Sequence, residues 1–464
     1  MKNEFVTGNI IKKINWKNNL YLFLDDIFFG KNSYDINEIV EISSGTNLLS
    51  PPSIIINSIK DIGNKGQKIN YYSSPLGQDV LRESILIYEN VLSNFSLPKS
   101  YKSVVTNGAA DGLRIVFNYL KSKGKSRVLT LGPQYSIVYQ IINLSNLEFI
   151  ESSGIGETFL PSSESIKSII SSSECDILFM TQPNNPTGEV YSTEEFRKII
   201  RVAKENDLIL VYEKLGSDIQ IGDFNSEVEY GRVINEENYW KNTIIIDSFS
   251  KRRAISGLRI GYILGEKELE DHANLVRFGD CPPLIGNEGI FKDLIMSAII
   301  HIAEREKLPL YASLSSLKSN HEINTKDIID FLESPSLIPL IETHYKEIEY
   351  LYRNIYDNLN RFKLKFKDYI KGSTSMTSGA NCLIALDIPS ISEKEAAILL
   401  YESGKTITYP LGCFFIDQSL SRRISDKFWF RLSTAMEYDD FDKIISKLDN
   451  FLMSGEISEN KQFN

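Results

Sequence analysis

The chain is poor in cysteine and histidine, with only four of each among its 464 residues. The cysteines are scattered and form no CxxC pair, and the histidines show no metal-ligand spacing such as HExxH. These absences argue against a disulfide framework and against a zinc site. We therefore expect no metal and a reducing, cytoplasmic compartment. The residues concerned are Cys175, Cys281, Cys382, Cys413, His272, His301, His321 and His344.

Long hydrophobic runs and an excess of basic charge are also missing. The longest apolar stretches fall well short of the roughly 18 residues that a membrane-spanning helix needs. The N-terminus, MKNEFVTGNIIKK, lacks the apolar core of a signal peptide. A net charge of −10 disfavours nucleic-acid binding, which usually requires a basic face. We expect neither a membrane nor a nucleic acid as a partner.

The middle of the chain alternates short apolar, β-branched runs with amphipathic helical stretches. Continuous apolar strands separated by helices predict an α/β fold with a mostly parallel sheet between helices. In such sheets ligands bind at the carboxyl ends of the strands. The seven predicted strands lie at 103–106, 127–131, 147–150, 176–181, 207–212, 243–247 and 260–264.

The two ends of the chain differ from this alternating middle. A long helix is predicted at 344–362, and strand-like runs and a last helix follow it. We expect a large domain at 49–343 and a smaller α/β domain at 344–454, which residues 1–48 join. Within the large domain, 305–342 reads as an insertion. The tail at 455–464 is expected to be disordered.

Polar motifs follow three of the predicted strands. In TQPNNPTGEVYS (181–192), the Asn, Pro and Gly residues indicate a rigid turn from which Asn185 could donate to a cofactor. Alone, the motif is also consistent with an ordinary tight turn, although the cofactor role is favoured. In VTNGAADGLRIVF (105–117), the amides of Gly108, Ala109 and Ala110 open a helix and suit an anion. Tyr135 in GPQYSIVY could stack on a flat ring or simply pack in the core.

The stretch DSFSKRRAISGLRIGY (247–262) combines hydroxyl groups, an amine and a guanidinium. Ser248 and Ser250 lie three residues and one residue before Lys251, and Arg259 follows eight residues after the lysine. Hydroxyl donors and a planar arginine fork suit a phosphate, and the lysine places an amine close by. This motif predicts a phosphate site next to a nucleophilic lysine.

The order of these motifs resembles fold-type-I pyridoxal-phosphate enzymes of the class I/II aminotransferase group. The resemblance extends from ISSGTNLLSPP (42–52) to FRLSTA (430–435), which is most of the chain. It implies an aspartate-aminotransferase-like fold and pyridoxal 5'-phosphate as the cofactor. It also implies an amino acid and a 2-oxo acid as substrates.

The resemblance also assigns roles to single residues. Lys251 is similar to the lysine that forms the Schiff base with the cofactor, and Arg431 in FRLS is similar to the arginine that binds the substrate carboxylate. Gly45 resembles a glycine near that carboxylate. Tyr72 resembles a tyrosine that reaches the phosphate of a neighbouring subunit, so a homodimer is implied. The remaining implied cofactor ligands are Gly108, Ala109, Ala110, Tyr135, Asn185, Ser248, Ser250 and Arg259.

Two positions depart from the family pattern. Glu213 stands where the family places an aspartate against the pyridine nitrogen, and Gly216 stands where a tyrosine usually bonds the phenolic oxygen. Compared with aspartate, glutamate keeps the negative charge but has a longer side chain. Compared with tyrosine, glycine lacks the hydroxyl group that would donate to the phenolic oxygen. We expect cofactor binding to survive both changes, whereas the reaction type stays open.

Three functions are therefore compatible with the sequence. The first is an aminotransferase that acts on an amino acid through Lys251. The second is a related enzyme that does not transaminate, such as an eliminating lyase, a cyclase or an amino-acid oxidase of specialised metabolism. The third is a degenerate ligand-binding module, which the presence of both Lys251 and Arg259 disfavours.

Overall fold

The computed structural model describes most of the chain. The described residues are 10–12, 14, 19–29, 39–65, 70–94, 97–154, 159–217, 226–376, 379–387, 392–417, 420 and 427–454. The predicted disordered tail at 455–464 lies outside them, as does part of the N-terminal segment at 1–48. No helix within these ranges is long and apolar enough to cross a membrane.

Short strands rich in isoleucine, leucine and valine alternate with helices through the middle of the chain. The strands are β1 Ile10–Ile11, β2 Val40–Glu41, β3 Tyr101–Thr106, β4 Arg127–Leu131, β5 Glu148–Ser152, β6 Ile177–Thr181, β7 Ile209–Glu213, β8 Thr243–Ser248, β9 Gly261–Glu266, β10 Ile370–Ser373, β11 Asn381–Leu386, β12 Thr406–Ile407 and β13 Phe428–Ser433. All seven strands predicted from the sequence are present, as β3 to β9.

Sixteen α-helices lie in the described part of the chain. They are α1 Leu20–Phe29, α2 Ser53–Lys65, α3 Asp79–Ser93, α4 Ala109–Ser122, α5 Ser136–Leu144, α6 Ser163–Ser172, α7 Thr193–Glu205, α8 Ser226–Glu236, α9 Phe249–Arg252, α10 Lys267–Val276, α11 Asn287–Glu306, α12 Leu310–Asn320, α13 Lys326–Leu332, α14 Leu337–Lys365, α15 Glu393–Glu402 and α16 Tyr438–Met453. The helix predicted at 344–362 is part of the longer α14.

The chain forms two compact units. The first unit contains Met1–Leu49, Ser126–Val190 and Arg353–Asn464, and the second contains Ser50–Lys125 and Tyr191–Tyr352. These boundaries differ from those predicted for a large and a small domain, and that division stays a prediction. Segment 305–342 contains α12 and α13 in the second unit, where Leu317, Ile328 and Phe331 are buried.

In the first unit, β4 pairs in parallel with both β5 and β6, and every residue of β6 is buried. The two-residue strand β1 pairs antiparallel with β5, an extra strand that was too short to predict from hydrophobic pattern. Strands β10, β11 and β13 form an antiparallel sheet, and β2 pairs in parallel with β12.

In the second unit, β7 pairs in parallel with β8, while β9 runs antiparallel to both β8 and β3. All six residues of β8 are buried, as expected for a strand covered on both faces. Strands β8 and β3 lie on either side of β9 and run in the same direction. Their carboxyl ends therefore lie at the same edge of the sheet. Thr106 and Ser248 are both paired with Gly261 there.

Candidate active site

Lys251 lies on a short helix at the carboxyl end of β8. Ser248 caps this helix: its Oγ accepts a hydrogen bond from the Ser250 amide at 3.2 Å and donates to Ser250 Oγ at 2.8 Å. Both serines are buried, whereas Lys251 is half-buried. The two hydroxyl groups that the sequence predicts as phosphate ligands are therefore adjacent to each other at this edge of the sheet.

Arg259 and Gly108 come from motifs about 150 residues apart and lie in contact. The Arg259 Nη2 donates to the carbonyl of Asn107 at 3.2 Å. A Cβ atom at Gly108 would lie 2.8 Å from that same nitrogen, and the φ of Gly108 is +79°, where only glycine is unstrained. The fold thus requires glycine at 108 on both steric and conformational grounds.

Gly261 explains how the two motifs approach each other. A Cβ atom at this position would lie 2.7 Å from the carbonyl oxygen of Asp247 and 2.9 Å from the carbonyl carbon of Gly108. Its lack of a side chain lets the ends of β3 and β8 come together. The sequence pattern GLRIGY contains Gly261 but does not reveal this role.

These groups fit the phosphate ester of pyridoxal phosphate. Gly108 is the N-cap of the 14-residue helix α4, so the amides of Ala109 and Ala110 belong to its first turn and carry partial positive charge. The hydroxyl groups of Ser248 and Ser250 and the guanidinium of Arg259 add donors without adding a carboxylate. A set of backbone amides, hydroxyls and one arginine is the donor set that a phosphate requires.

Glu213 is the last residue of β7 and is completely buried. Gly216, three residues later, has a φ of +77°. A tyrosine in this left-handed conformation would be strained. Glycine adopts the turn without that strain.

In the first unit, Arg431 on β13 is buried and lies next to two other predicted positions, Asn185 and Gly45. Its Nη1 donates to Asn185 Oδ1 at 2.9 Å, and its Nε donates to the carbonyl of Ser43 at 2.9 Å. A Cβ atom at Gly45 would lie 3.1 Å from the guanidinium carbon. Phe414 places its ring 4.9 Å from that carbon. Burial lowers the pKa of Arg431, which nevertheless stays charged.

The turn that carries Asn185 is held by the neighbouring asparagine. Asn184 donates from Nδ2 to the carbonyl of Pro133 at 2.9 Å and accepts from the amide of Thr187 at 3.2 Å. Pro133 lies two residues before Tyr135, which is half-buried and caps α5. Asn184 was not among the predicted residues, although the Asn-x-x-Thr spacing is typical of a side chain that bonds its own turn.

Tyr72 lies at the surface of the protein. Its side chain is 91% exposed on the second unit, next to Tyr71, which is also exposed.

The carbonyl of Ser43 accepts a hydrogen bond from Arg431. No sequence pattern could reveal this contact, because every residue carries a carbonyl.

A family model and several curated proteins match the sequence of this chain. The model described as "Aminotransferase class I and II" matches residues 37–279, more than half of the chain. An aspartate aminotransferase of Thermotoga maritima is 24% identical over 235 residues, which cover 50% of this chain and 59% of the relative. A histidinol-phosphate aminotransferase of Buchnera aphidicola is 26% identical over 168 residues, covering 36% and 44%. The chain thus spans about half the length of the curated relatives it matches.

Solved structures show the same fold at low sequence identity. An aspartate aminotransferase from Thermus thermophilus with maleate has a TM-score of 0.67 and 18% identity, covering 89% of this chain and 91% of that one. An aromatic aminotransferase from Pyrococcus horikoshii OT3 has a TM-score of 0.68 and 15% identity, covering 94% and 100%. These matches confirm the predicted α/β, aspartate-aminotransferase-like fold. By its fold, its motifs and the matched family model, the chain belongs to the class I and II aminotransferase family.

Proposed function

We propose that the protein is a pyridoxal-phosphate-dependent aminotransferase that transfers the amino group of an amino acid to a 2-oxo acid. The observation that carries this proposal is the contact between Gly108 and Arg259 at the strand edge where Ser248, three residues before Lys251, pairs with Gly261. Family membership supports the same activity.

Different residues would bind the phosphate, the ring and the aldehyde carbon of the cofactor. The amides of Gly108, Ala109 and Ala110, the two serine hydroxyls and Arg259 would bind the phosphate. Glu213 would place its negative charge against the ring nitrogen, since its carboxylate is buried at the end of β7. Tyr135 would stack on the ring, and Asn185 would donate its side-chain amide to the phenolic oxygen. Lys251 would carry the cofactor covalently.

The bound cofactor supplies an electron sink for the negative charge that develops at the substrate Cα. The amine of Lys251 would accept the Cα proton and return it elsewhere as a general acid–base group. Arg431 would bind the substrate carboxylate with two parallel N–H donors, a geometry that lysine does not provide. Its fixed hydrogen bonds to Ser43 and Asn185 preorganise that fork.

We further propose a cytoplasmic homodimer. The exposure of Tyr72 and Tyr71 supports the dimer, because large aromatic side chains at a surface mark sites of association. In the dimer, Tyr72 would reach the phosphate of the neighbouring subunit. All four cysteines are unpaired in the structure, which suits a reducing compartment.

The experiment is reconstitution with pyridoxal phosphate followed by incubation with single amino acids and a 2-oxo acid. We expect mass spectrometry to detect the 2-oxo acid of the donor and the amino acid of the acceptor. Borohydride treatment should fix the cofactor to Lys251. The Lys251→Ala variant should show neither the products of amino-group transfer nor this adduct. Release of ammonia or peroxide without amino-group transfer would contradict the proposal, as would the absence of an adduct at Lys251. Aspartate and histidinol phosphate are the first donors to test, given the names of the relatives.

A further inference from the structure

The second unit contains a buried polar network that includes none of the predicted site residues. Its centre is Glu89 on α3, whose side chain is 1% exposed. The Glu89 carboxylate accepts from Lys214 Nζ at 2.9 and 3.2 Å and from the Tyr262 hydroxyl. A carboxylate among the apolar residues of a buried helix face is costly unless it is paired. The pairing with Lys214 offsets that cost.

The network continues from Tyr262 to the segment that carries the lysine. The Tyr262 hydroxyl lies 2.9 Å from Asp247 Oδ2, and these two residues are directly opposite each other in the β8–β9 pair. Arg252 Nη2 lies 3.3 Å from the same carboxylate oxygen. Burial first, and then the charges of Asp247 and Glu89, raise the pKa of Tyr262 well above its ordinary value, so the hydroxyl stays protonated.

Three members of the network are sequence neighbours of proposed site residues. Lys214 directly follows Glu213, Asp247 directly precedes Ser248, and Arg252 directly follows Lys251. The backbone reinforces this link, because the Lys214 amide donates to the carbonyl of Ile246 at 2.9 Å. The network therefore ties the end of β7 to the end of β8 through α3.

The charges of this network balance. Glu89 and Asp247 contribute two negative charges, and Lys214 and Arg252 contribute two positive ones. Arg252 is also enclosed by aromatic rings, with its guanidinium carbon 4.5 Å from the ring of Phe249. In a buried setting, the loss of one charge is poorly screened and leaves a net charge close to the neighbouring groups.

We propose that Glu89 is a positioning residue of the active site. It holds Lys214 and Tyr262, and this fixes the position of the end of β7, which carries Glu213, relative to the segment that carries Lys251. Its negative charge also keeps the network neutral next to the Lys251 segment. This inference rests on the proposed function, because it takes Lys251 and Glu213 as the groups that face the cofactor.

The test compares Glu89→Gln, Lys214→Met and the double variant with the unmodified protein. One readout is the pH midpoint of the visible absorbance of the bound cofactor. The other is the pH midpoint at which an acylating reagent modifies Lys251 in cofactor-free protein, followed by mass spectrometry. Glu268→Gln is the matched control, since it removes a carboxylate from an ion pair whose glutamate is 69% exposed.

The two single variants should shift these midpoints in opposite directions. Glu89→Gln leaves a net positive charge that disfavours the protonated amine, so we expect midpoints lower by about 0.5 to 1 pH unit. Lys214→Met leaves a net negative charge and should raise them by a similar amount. The double variant restores neutrality and should return close to the unmodified value, and Glu268→Gln should change neither midpoint.

Shifts of the same sign in both single variants, or no shift in folded protein, would overturn the role of Glu89. If a single variant does not fold, Tyr262→Phe serves instead: it removes the bridging hydroxyl without changing charge. It should weaken cofactor affinity about fivefold and leave the midpoints in place, and unchanged affinity would refute the inference. An unmodified protein that forms no adduct at Lys251 would instead refute the proposed function.

Discussion

Arg431 and Asn185, which are 246 positions apart in the chain, are joined by a hydrogen bond of 2.9 Å from the guanidinium to the side-chain carbonyl. One residue belongs to the motif proposed to bind substrate and the other to the motif proposed to bind the cofactor ring. Because Asn185 Oδ1 accepts from Arg431, its Nδ2 hydrogens are oriented away from the arginine. One hydrogen bond thus links the residue proposed to bind the substrate to the residue proposed to bind the cofactor.

Arg431→Lys should impair substrate binding more than cofactor binding. Lysine keeps the charge but loses the planar fork, the hydrogen bond to Asn185 and the contact with Phe414. We expect KM for the amino acid to rise by about tenfold to a hundredfold, with the cofactor still attached. Steady-state kinetics measures this, and Arg361→Lys at the exposed pair with Asp442 is the control. An unchanged KM would remove Arg431 from the substrate site.

Gly108→Ala should weaken the affinity for the cofactor by at least about tenfold. The new methyl group would lie 2.8 Å from Arg259 Nη2 and displace it from the proposed phosphate site. Gly124→Ala is a close control, because Gly124 has a φ of +80° with no atom within 4 Å of the added carbon. Both variants should lose about 1 kcal/mol of stability from backbone strain. Equal affinities in the two variants would show that the contact with Arg259 is unimportant.

Glu213→Gln should slow amino-group transfer by about a hundredfold while the cofactor remains bound. The substitution preserves volume but removes the negative charge proposed to oppose the ring nitrogen, and that charge keeps the ring an effective electron sink. Single-turnover kinetics and the absorbance of the bound cofactor separate the two effects. Glu213→Asp should retain much of the rate, because it keeps the charge. Equal rates for the glutamine variant and the unmodified protein would exclude this role.

His344 should make stability depend on pH between about 4 and 6.5. Burial lowers the pKa of this histidine to about 4, although it lies 3.2 Å from Asp293. In this window the unfolded chain binds a proton that the folded protein does not, so stability is complete above pH 6.5 and is lost as the pH falls. The loss amounts to about 3 kcal/mol at the lower end.

The measurement is urea-induced unfolding at pH 7 and pH 4.5 for the unmodified protein and for His344→Gln. Glutamine cannot take up a proton, so the free energy of unfolding of this variant should fall less on acidification. Carboxyl groups that do not contact residue 344 titrate alike in both proteins and cancel in the comparison. The same loss in both proteins would mean that His344 is not the group responsible.

Local sequence patterns were sufficient for the strands and for most of the proposed site. Each of the seven predicted strands contains a short apolar run that is buried in the structure. Asn185, Lys251 and Arg259 could be identified because their motifs combine turn residues and functional groups over a few positions. The two-residue strand β1 could not be found, since two isoleucines have no period to detect.

What the sequence determined by itself is which chemical groups stand at the ends of the strands, because strand, turn and helix start are encoded within about fifteen residues. Only the tertiary structure decided which of these groups meet. The contact of Gly108 with Arg259 and the pairing of Glu89 with Lys214 depend on the packing of segments far apart in the chain. Burial and close approach arise from that packing, and they set both the charge balance and the geometry of the site.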